Sequence, residues 1–586
     1  MSQFFIVFFW TLIFLSFFSC IGGAFVTPFK KYIKYPLLTA PFTGILVTML
    51  GVSVCYCLLN LSISKATLLI FLLGTLATCI AIYQQQLRFP KMHYALSLFL
   101  LLWVAGITYC VNYTEIMLGT PSLLFSDGTD HLGYVQLADW LMAHSVYQTP
   151  ILSVQNPYES WPYQMFHFEP RFGSFYLLAV FSFLKQLPAM FAYNISVGVI
   201  LISGVLAVSG VFARSTQGLI LAIVGLTCAQ WYPLGQRGYF GKIIAFPATF
   251  FIAGLFFSIR KHGELIPVLT LIFLTCAAAI SYPGNAIAAI FFVLTSGYFI
   301  FSLFFRYVFQ KPLPRNFLEI FFVMMLLLVI AVGMSGQLSH PFSGLGGENS
   351  DWQRLWKQLL EIPLSEKHQF LSLPVSLYLL SLMLLSTTVM IIIACKRRAA
   401  IPAALLIFPF LFIGCLEIFD SPGQRWIAYE FIGVFYPALL LAAIRLFEKP
   451  SHPLLICLIL IVGIHIPKFT EARHHYAGKG VLPDRQYSKI NFEQMAEKIG
   501  NQSVLIKIND TPHALPLLVE FGRRNIKMEW TPASWRAVVG YRPWSAPAVT
   551  AAVFHLTALN THETGCTNIF QTQEYQLLKC HQQRTN

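Results

Sequence analysis

The sequence predicts an all-α polytopic transmembrane bundle of about 13–15 hydrophobic helices, followed by a small C-terminal α/β domain outside the membrane. Three observations carry this. Of 586 residues, 56% are hydrophobic and only 11% are charged, whereas soluble domains carry roughly a quarter charged residues. Apolar runs long enough to cross a ~30 Å hydrocarbon core recur along most of the chain. After about residue 470 the composition changes, and short strand-like runs alternate with helical ones.

The apolar runs fall near 3–25, 37–60, 62–83, 93–112, 172–187, 190–212, 216–234, 241–259, 264–281, 285–307, 316–336, 371–395, 400–419, 427–446 and 452–468. Blocks of this length exclude an outer-membrane barrel, whose strands are alternating segments of about ten residues. The N-terminal "MSQFFIVFFW" lacks a basic n-region and reads as a true membrane segment, not a signal peptide. Residues 1–92 supply leading helices, 93–468 a membrane core, and 469–586 the outer domain.

The formal net charge is +14. In a soluble protein that would suggest nucleic acid. Here the cations flank apolar runs, so they read as topology determinants and contacts to anionic lipid, with no nucleic-acid partner. Lys30, Lys31 and Lys34, Arg88 and Lys91, Arg260 and Lys261, Arg306 with Lys311 and Arg315, and Lys396 to Arg398 all vote for the inner side. These votes put the loops 113–171 and 337–370, the short "DSPGQR" loop and the tail after Lys468 outside. Between 172 and 259 there are four runs, yet the charges demand an odd number of crossings; 172–187, the shortest, is expected not to cross.

Ten of the twelve cysteines, Cys20 to Cys457, lie in or beside apolar runs without metal-ligand spacing and read as small hydrophobes. Cys566 and Cys580 lie in the polar tail and are candidates for a disulfide in an oxidising compartment. In that tail "SVLIKI", "NIKMEW", "VFHLTAL" and "YQLLKC" read as strands. "HALPLLVEFGRR" reads as a helix closed by Gly522.

The stretch "SDGTDHLGYVQLADWL", Ser126 to Leu141, concentrates titratable groups just after a membrane-length run. It reads as an amphipathic helix lying along the interface, with Tyr134, Leu137, Ala138 and Leu141 on one stripe and Asp139 facing water. Asp127, Gly128 and Thr129 are its start signals, and Asp130 in the first turn suits the helix dipole. Capping alone explains both acids. The chemical reading is that a carboxylate half-shielded from water has a raised pKa and can serve as general base for a hydroxyl nucleophile.

The arrangement resembles the first outer loop of GT-C membrane glycosyltransferases, which use polyprenyl-phosphate-linked sugars. Asp130, Tyr134 and Ala138 match an acidic residue followed by Tyr one turn on and Ala two turns on. "HFEPRFGSFYLLAV" is similar to the family's proline-containing entry to the next helix. "DSPGQRWIAYEFIGVFYPALLLAA" resembles its late outer loop, with Arg425 in the position of a helix-starting Arg. The three leading helices are additional to the usual core, and the acidic pair is separated here, so either Asp127 or Asp130 is a candidate base.

The resemblance implies sugar transfer, with inversion, at the outer face of a bacterial inner (plasma) membrane. The partners would be a lipid-linked sugar donor, a glycan, lipid or protein acceptor, and the surrounding membrane lipids. Arg425 would grip the leaving phosphate bidentately, with Arg237 and Lys242 as further cations. His131 and Tyr134 flank the acid as substrate contacts. His167, Glu169 and Arg171 would contact the sugar, assist the aspartate or hold an ion; charge that keeps a loop in water is the plainer account. No cofactor is required, although the carboxylates are compatible with Mg²⁺ or Mn²⁺. Two alternatives stay open: an O-antigen polymerase or ligase relying on His340 and Arg354, and a flippase or transporter for lipid-linked substrates.

Overall fold

The computed structural model describes residues 2–84, 94–121, 130–145, 147–148, 162, 172–227, 240–259, 265–281, 440–442, 444–445, 489–508, 511–524, 526–531, 552–559, 561–571 and 575–580. These residues are mostly helical, with a small C-terminal sheet. Five of the helices are long and apolar enough, by length and composition, to cross a membrane.

The first four helices follow the apolar runs closely: α1 (Ser2–Val26), α2 (Pro36–Leu59), α3 (Ile63–Tyr83) and α4 (Tyr94–Val111). Asn60, in the left-handed conformation at φ 50°, closes α2. Helices α1 and α2 cross so closely that a Cβ on Gly22 would overlap the Ala40 carbonyl oxygen, and one on Gly44 that of Phe18. Large apolar side chains point outward from these helices: Phe9 is 63% exposed, Leu72 64% and Leu102 63%. An outward apolar face is what lipid, not water, would solvate.

Next come α5 (Tyr113–Leu118), α6 (Asp130–Ala143), α7 (Phe172–Lys185), α8 (Ala189–Phe212), α9 (Thr216–Leu226), α10 (Phe240–Ile259) and α11 (Leu265–Ser281). Helix α8 is the axis of the bundle: all its residues are buried. The Ser215 hydroxyl caps α9, accepting from the Gly218 N–H at 3.0 Å.

Polar contacts distinguish the two ends of the bundle. At one end the Lys34 ammonium donates to the Arg214 carbonyl at 2.9 Å, and the hydroxyls of Tyr35 and Thr216 lie 3.4 Å apart. Lys30 and Lys31 precede Lys34 in the same turn, so this is the basic end. At the other, acidic, end Gln3 donates to Glu115 at 3.1 Å, and the Tyr56 hydroxyl donates to the His144 carbonyl at 2.8 Å. Helix α7 touches this acidic end twice. Near its start the Tyr176 hydroxyl lies 3.2 Å from the Cys57 thiol, and at its finish Lys185 pairs with Glu115 at 3.4 Å. Its fourteen residues span ~21 Å at 1.5 Å per residue, well short of a bilayer core.

The C-terminal residues form α12 (Lys489–Ile499), α13 (Thr511–Arg523) and strands β1 (Val504–Lys507), β2 (Met528–Trp530), β3 (Phe554–Ala558), β4 (Cys566–Gln571) and β5 (Tyr575–Cys580). The sheet order is β2-β1-β3-β5-β4. Strand β1 runs parallel to β2 and β3, while β5 pairs antiparallel with β3 and β4. The expected strands are present. Helix α12 and edge strand β4 were not expected, and α13 runs through Gly522 to Arg523 instead of closing at it. Cys566 and Cys580 face each other across β4 and β5 and form the anticipated disulfide.

The apolar runs from 285 to 419 and at 452–468, and the loop 337–370, lie outside the described residues. Of 427–446, only short pieces are described: Leu440 and Ile444 are buried, against Gly225 and Gly218 around α9.

Candidate functional site

Asp130 and His131 are the first two residues of α6. One turn on, Tyr134 is buried, its ring packed on Phe175 of α7 (centroids 5.0 Å apart) and Phe240 of α10 (5.7 Å). Its phenol oxygen accepts from the Gly241 N–H at 3.2 Å. That N–H is in the first turn of α10, where no intrahelical acceptor exists, so a side chain of α6 satisfies it. The next residue, Lys242, is 6% exposed. It stands in the first turn of α10, the end at which the helix dipole is positive.

The structure therefore joins two stretches flagged in the sequence, "DHLGY" and "FGK", at the acidic end. The placement of Lys242 beside α6 depended on residues 172–187 not crossing, and α7 indeed contacts the acidic end with both its termini. Asp127, His167, Glu169, Arg171, Arg237 and Arg425 lie outside the described residues, as do His340 and Arg354 of the alternative reading.

One expectation is overturned. Helix α6 does not lie on a surface with Asp139 in water: every residue from Gly133 to Leu141 is buried. It is covered by α7, α8 and, from the C-terminal domain, α13. Asp139 is buried. Its Oδ1 accepts from the Ala189 N–H at 2.8 Å and so caps α8 from a neighbouring helix, a role that Pro188 at the cap position cannot fill. Loss of solvent pushes the Asp139 carboxyl up to about 7, with the Ala189 hydrogen bond acting against the rise, Glu520 adding to it and Arg523 opposing it.

Glu520 is itself buried and held by Arg523 at 2.9 Å and Arg524 at 3.5 Å. The junction extends through Phe191, Phe492 and Phe521, each ring 6.5 Å from the next. A partial signal for this burial exists in the sequence: Val135, Leu137, Ala138, Trp140 and Leu141 spread apolar groups beyond the one stripe of an interfacial helix, leaving only the face of Gln136 and Asp139 polar.

Two more polar groups near the site escaped the sequence reading. Gln136 is buried, and among the described residues neither its amide oxygen nor its nitrogen has a hydrogen-bond partner. Glu115 and Lys185 form a buried ion pair, with Lys185 also donating to the Phe191 carbonyl at 3.3 Å. Burial raises the Glu115 pKa, while Lys185 and Gln3 act to lower it.

Comparison with known proteins gives no match to a family model, to a curated protein or to a solved structure.

Proposed function

We propose that the protein is a multi-pass integral membrane glycosyltransferase of GT-C type, acting at the outer face of a bacterial plasma membrane on a polyprenyl-phosphate-linked sugar. The observation that carries this reading is the Tyr134–Gly241 hydrogen bond. It ties the helix that starts at Asp130 to the first turn of α10, which also carries Lys242, so two of the expected site segments lie at one end of the bundle. The basic end, with Lys30, Lys31, Lys34 and Arg214, is then cytoplasmic, and the acidic end and the disulfide-bearing domain are outside.

In this reading Asp130 or Asp127 accepts the proton of an acceptor hydroxyl as its oxygen bonds to the anomeric carbon. The bond from that carbon to the phosphate oxygen breaks, and its electron pair leaves on the polyprenyl phosphate. Fixed positive charge lowers the barrier by stabilising the developing anion away from water. Lys242 with the start of α10 supplies one such source, and Arg425 is the second expected one.

The test is transfer from a panel of radiolabelled polyprenyl-phosphate sugars in membranes, comparing wild type with Asp130→Asn and Asp127→Asn. Removing the base should cost on the order of 10²–10⁴-fold in rate, with expression and membrane insertion unchanged. Wild-type membranes that transfer no sugar from any donor, or transfer unaffected in both variants, would overturn the reading.

A further inference from the structure

Away from the junction, one corner of the C-terminal sheet gathers four side chains of metal-ligating type. His555 on β3, Glu563 in the following turn, and Cys566 and Cys580 on β4 and β5 present ligand atoms that all lie within 4.8 Å of one another. The set is two sulfurs, one imidazole nitrogen and one carboxylate oxygen, the ligand types zinc accepts in four-coordinate sites. A neighbouring lysine also orients the carboxylate. Lys507 donates to Glu563 Oε1 at 2.6 Å, which leaves Oε2 turned toward His555 Nδ1 and 3.9 Å from the Cys566 sulfur. A ligating carboxylate needs this kind of orienting partner. Lys507 would also offset the charge that two thiolates and a carboxylate leave over around a divalent ion.

In the described state the two sulfurs are joined. Both cysteines are half-buried, with β4 an edge strand, so a reductant can approach. We infer that this corner is a redox-switched zinc site: Cys566 and Cys580 form a disulfide when oxidised and, when reduced, bind one Zn²⁺ with His555 and Glu563. The chemistry balances with a dithiol as reductant. Two electrons and two protons pass from the dithiol to the Cys566–Cys580 bond, giving two thiols and the dithiol's own disulfide. Zn²⁺ then displaces the two thiol protons. Either state ties β4 to β5 and the turn behind β3, so the corner stays closed across the switch. The inference does not depend on sugar transfer.

Six other cysteines are free among the described residues, so the test must separate this corner from them. Full-length protein in detergent micelles is reduced anaerobically with a phosphine, and Zn²⁺ is titrated against a competing chelator, beside an oxidised sample. The reduced wild type should bind one more zinc per chain than the oxidised form. His555→Ala keeps both sulfurs and, when oxidised, the disulfide, which mass spectrometry can verify. Its zinc affinity should fall at least tenfold, and Cys566→Ser should abolish that binding. Equal zinc in reduced and oxidised wild type, or a reduced His555→Ala that binds as tightly as wild type, would overturn the inference. Co²⁺ in place of Zn²⁺ gives an independent readout, a thiolate charge-transfer band present in the reduced wild type and missing in Cys566→Ser.

Discussion

At the scale of single residues, the acidic end is organised by charges taken out of water. Glu115 and Lys185 are almost fully enclosed, 1% and 5% exposed at their side chains, so each depends on the other. A buried ion pair contributes little net stability, but removing one partner strands the other, at a cost of about 3–5 kcal/mol. Lys185→Met should therefore lower stability by roughly that amount, while Glu115→Met with Lys185→Met should recover most of it. Thermal unfolding in detergent of the two single variants and the double variant measures this, and a double variant no better than Lys185→Met alone would show that the two residues act separately. Neither residue stood out in the sequence, because Glu115 lies only a few residues past a membrane-length run and Lys185 ends another. Positions like these usually read as interfacial charges. Only the seventy residues folded between them decide that they meet. Asp130 stood out for the opposite reason: its company, a Tyr one turn on and an Ala two turns on, is local and visible in a single helix.

At the scale of elements, the helix boundaries were legible and their packing was not. The limits of α1 to α4 agree with the apolar runs to within a residue or two, since a membrane-length helix stops where its apolar side chains stop. Which helices touch depends on residues that the apolar pattern treats as neutral. Gly22 and Gly44 let α1 and α2 approach until backbone meets backbone, the small-residue logic of helix contacts in lipid. Gly44→Ala would drive a methyl group into the Phe18 carbonyl and should destabilise by about 1–3 kcal/mol, as overpacking does. Gly22→Ala, against Ala40, should behave alike. The double variant should cost less than the sum, because either methyl alone already separates the helices. Gly106→Ala on α4 is the control: nothing lies within 4 Å of the added methyl, so it should be neutral or slightly stabilising through helix propensity. Melting temperatures across the four variants check the set, and loss of stability in Gly106→Ala equal to that in Gly44→Ala would refute the packing account. Strand β4 escaped the sequence reading for a related reason. As an edge strand with mostly exposed or half-exposed side chains, it lacks the apolar alternation that marks a strand half-buried in a core.

At the scale of the whole molecule, the C-terminal domain is fastened to the bundle through α13 on α6, a contact between segments some 380 residues apart, and its chemistry makes the fastening pH-dependent. Asp139 faces Glu520 and Arg523 from α13 and the Ala189 N–H from α8, and its carboxyl is pushed up to about 7. Asp139 Oδ2 and Glu520 Oε1 are both buried without a hydrogen-bond partner among the described residues, so a proton on Asp139 relieves both desolvation and carboxylate repulsion. The sign follows from linkage. Undocking α13 readmits water to Asp139 and takes Glu520 away, so its pKa falls toward the ordinary aspartate range and the docked state binds the proton more tightly. Docking is then strongest in acid and weakens as pH rises toward 7, by at most ~1.4 kcal/mol per unit. Asp139→Asn keeps an oxygen for the Ala189 N–H and removes the buried negative charge beside Glu520, as protonation of the aspartate would. It should melt at a higher temperature than wild type at pH 8, and show a smaller difference in melting temperature between pH 5 and pH 8. Groups that titrate elsewhere are common to both proteins and cancel in the comparison. If wild type and Asp139→Asn change in parallel between the two pH values, Asp139 is not the titrating link between the domain and the helix that begins at Asp130.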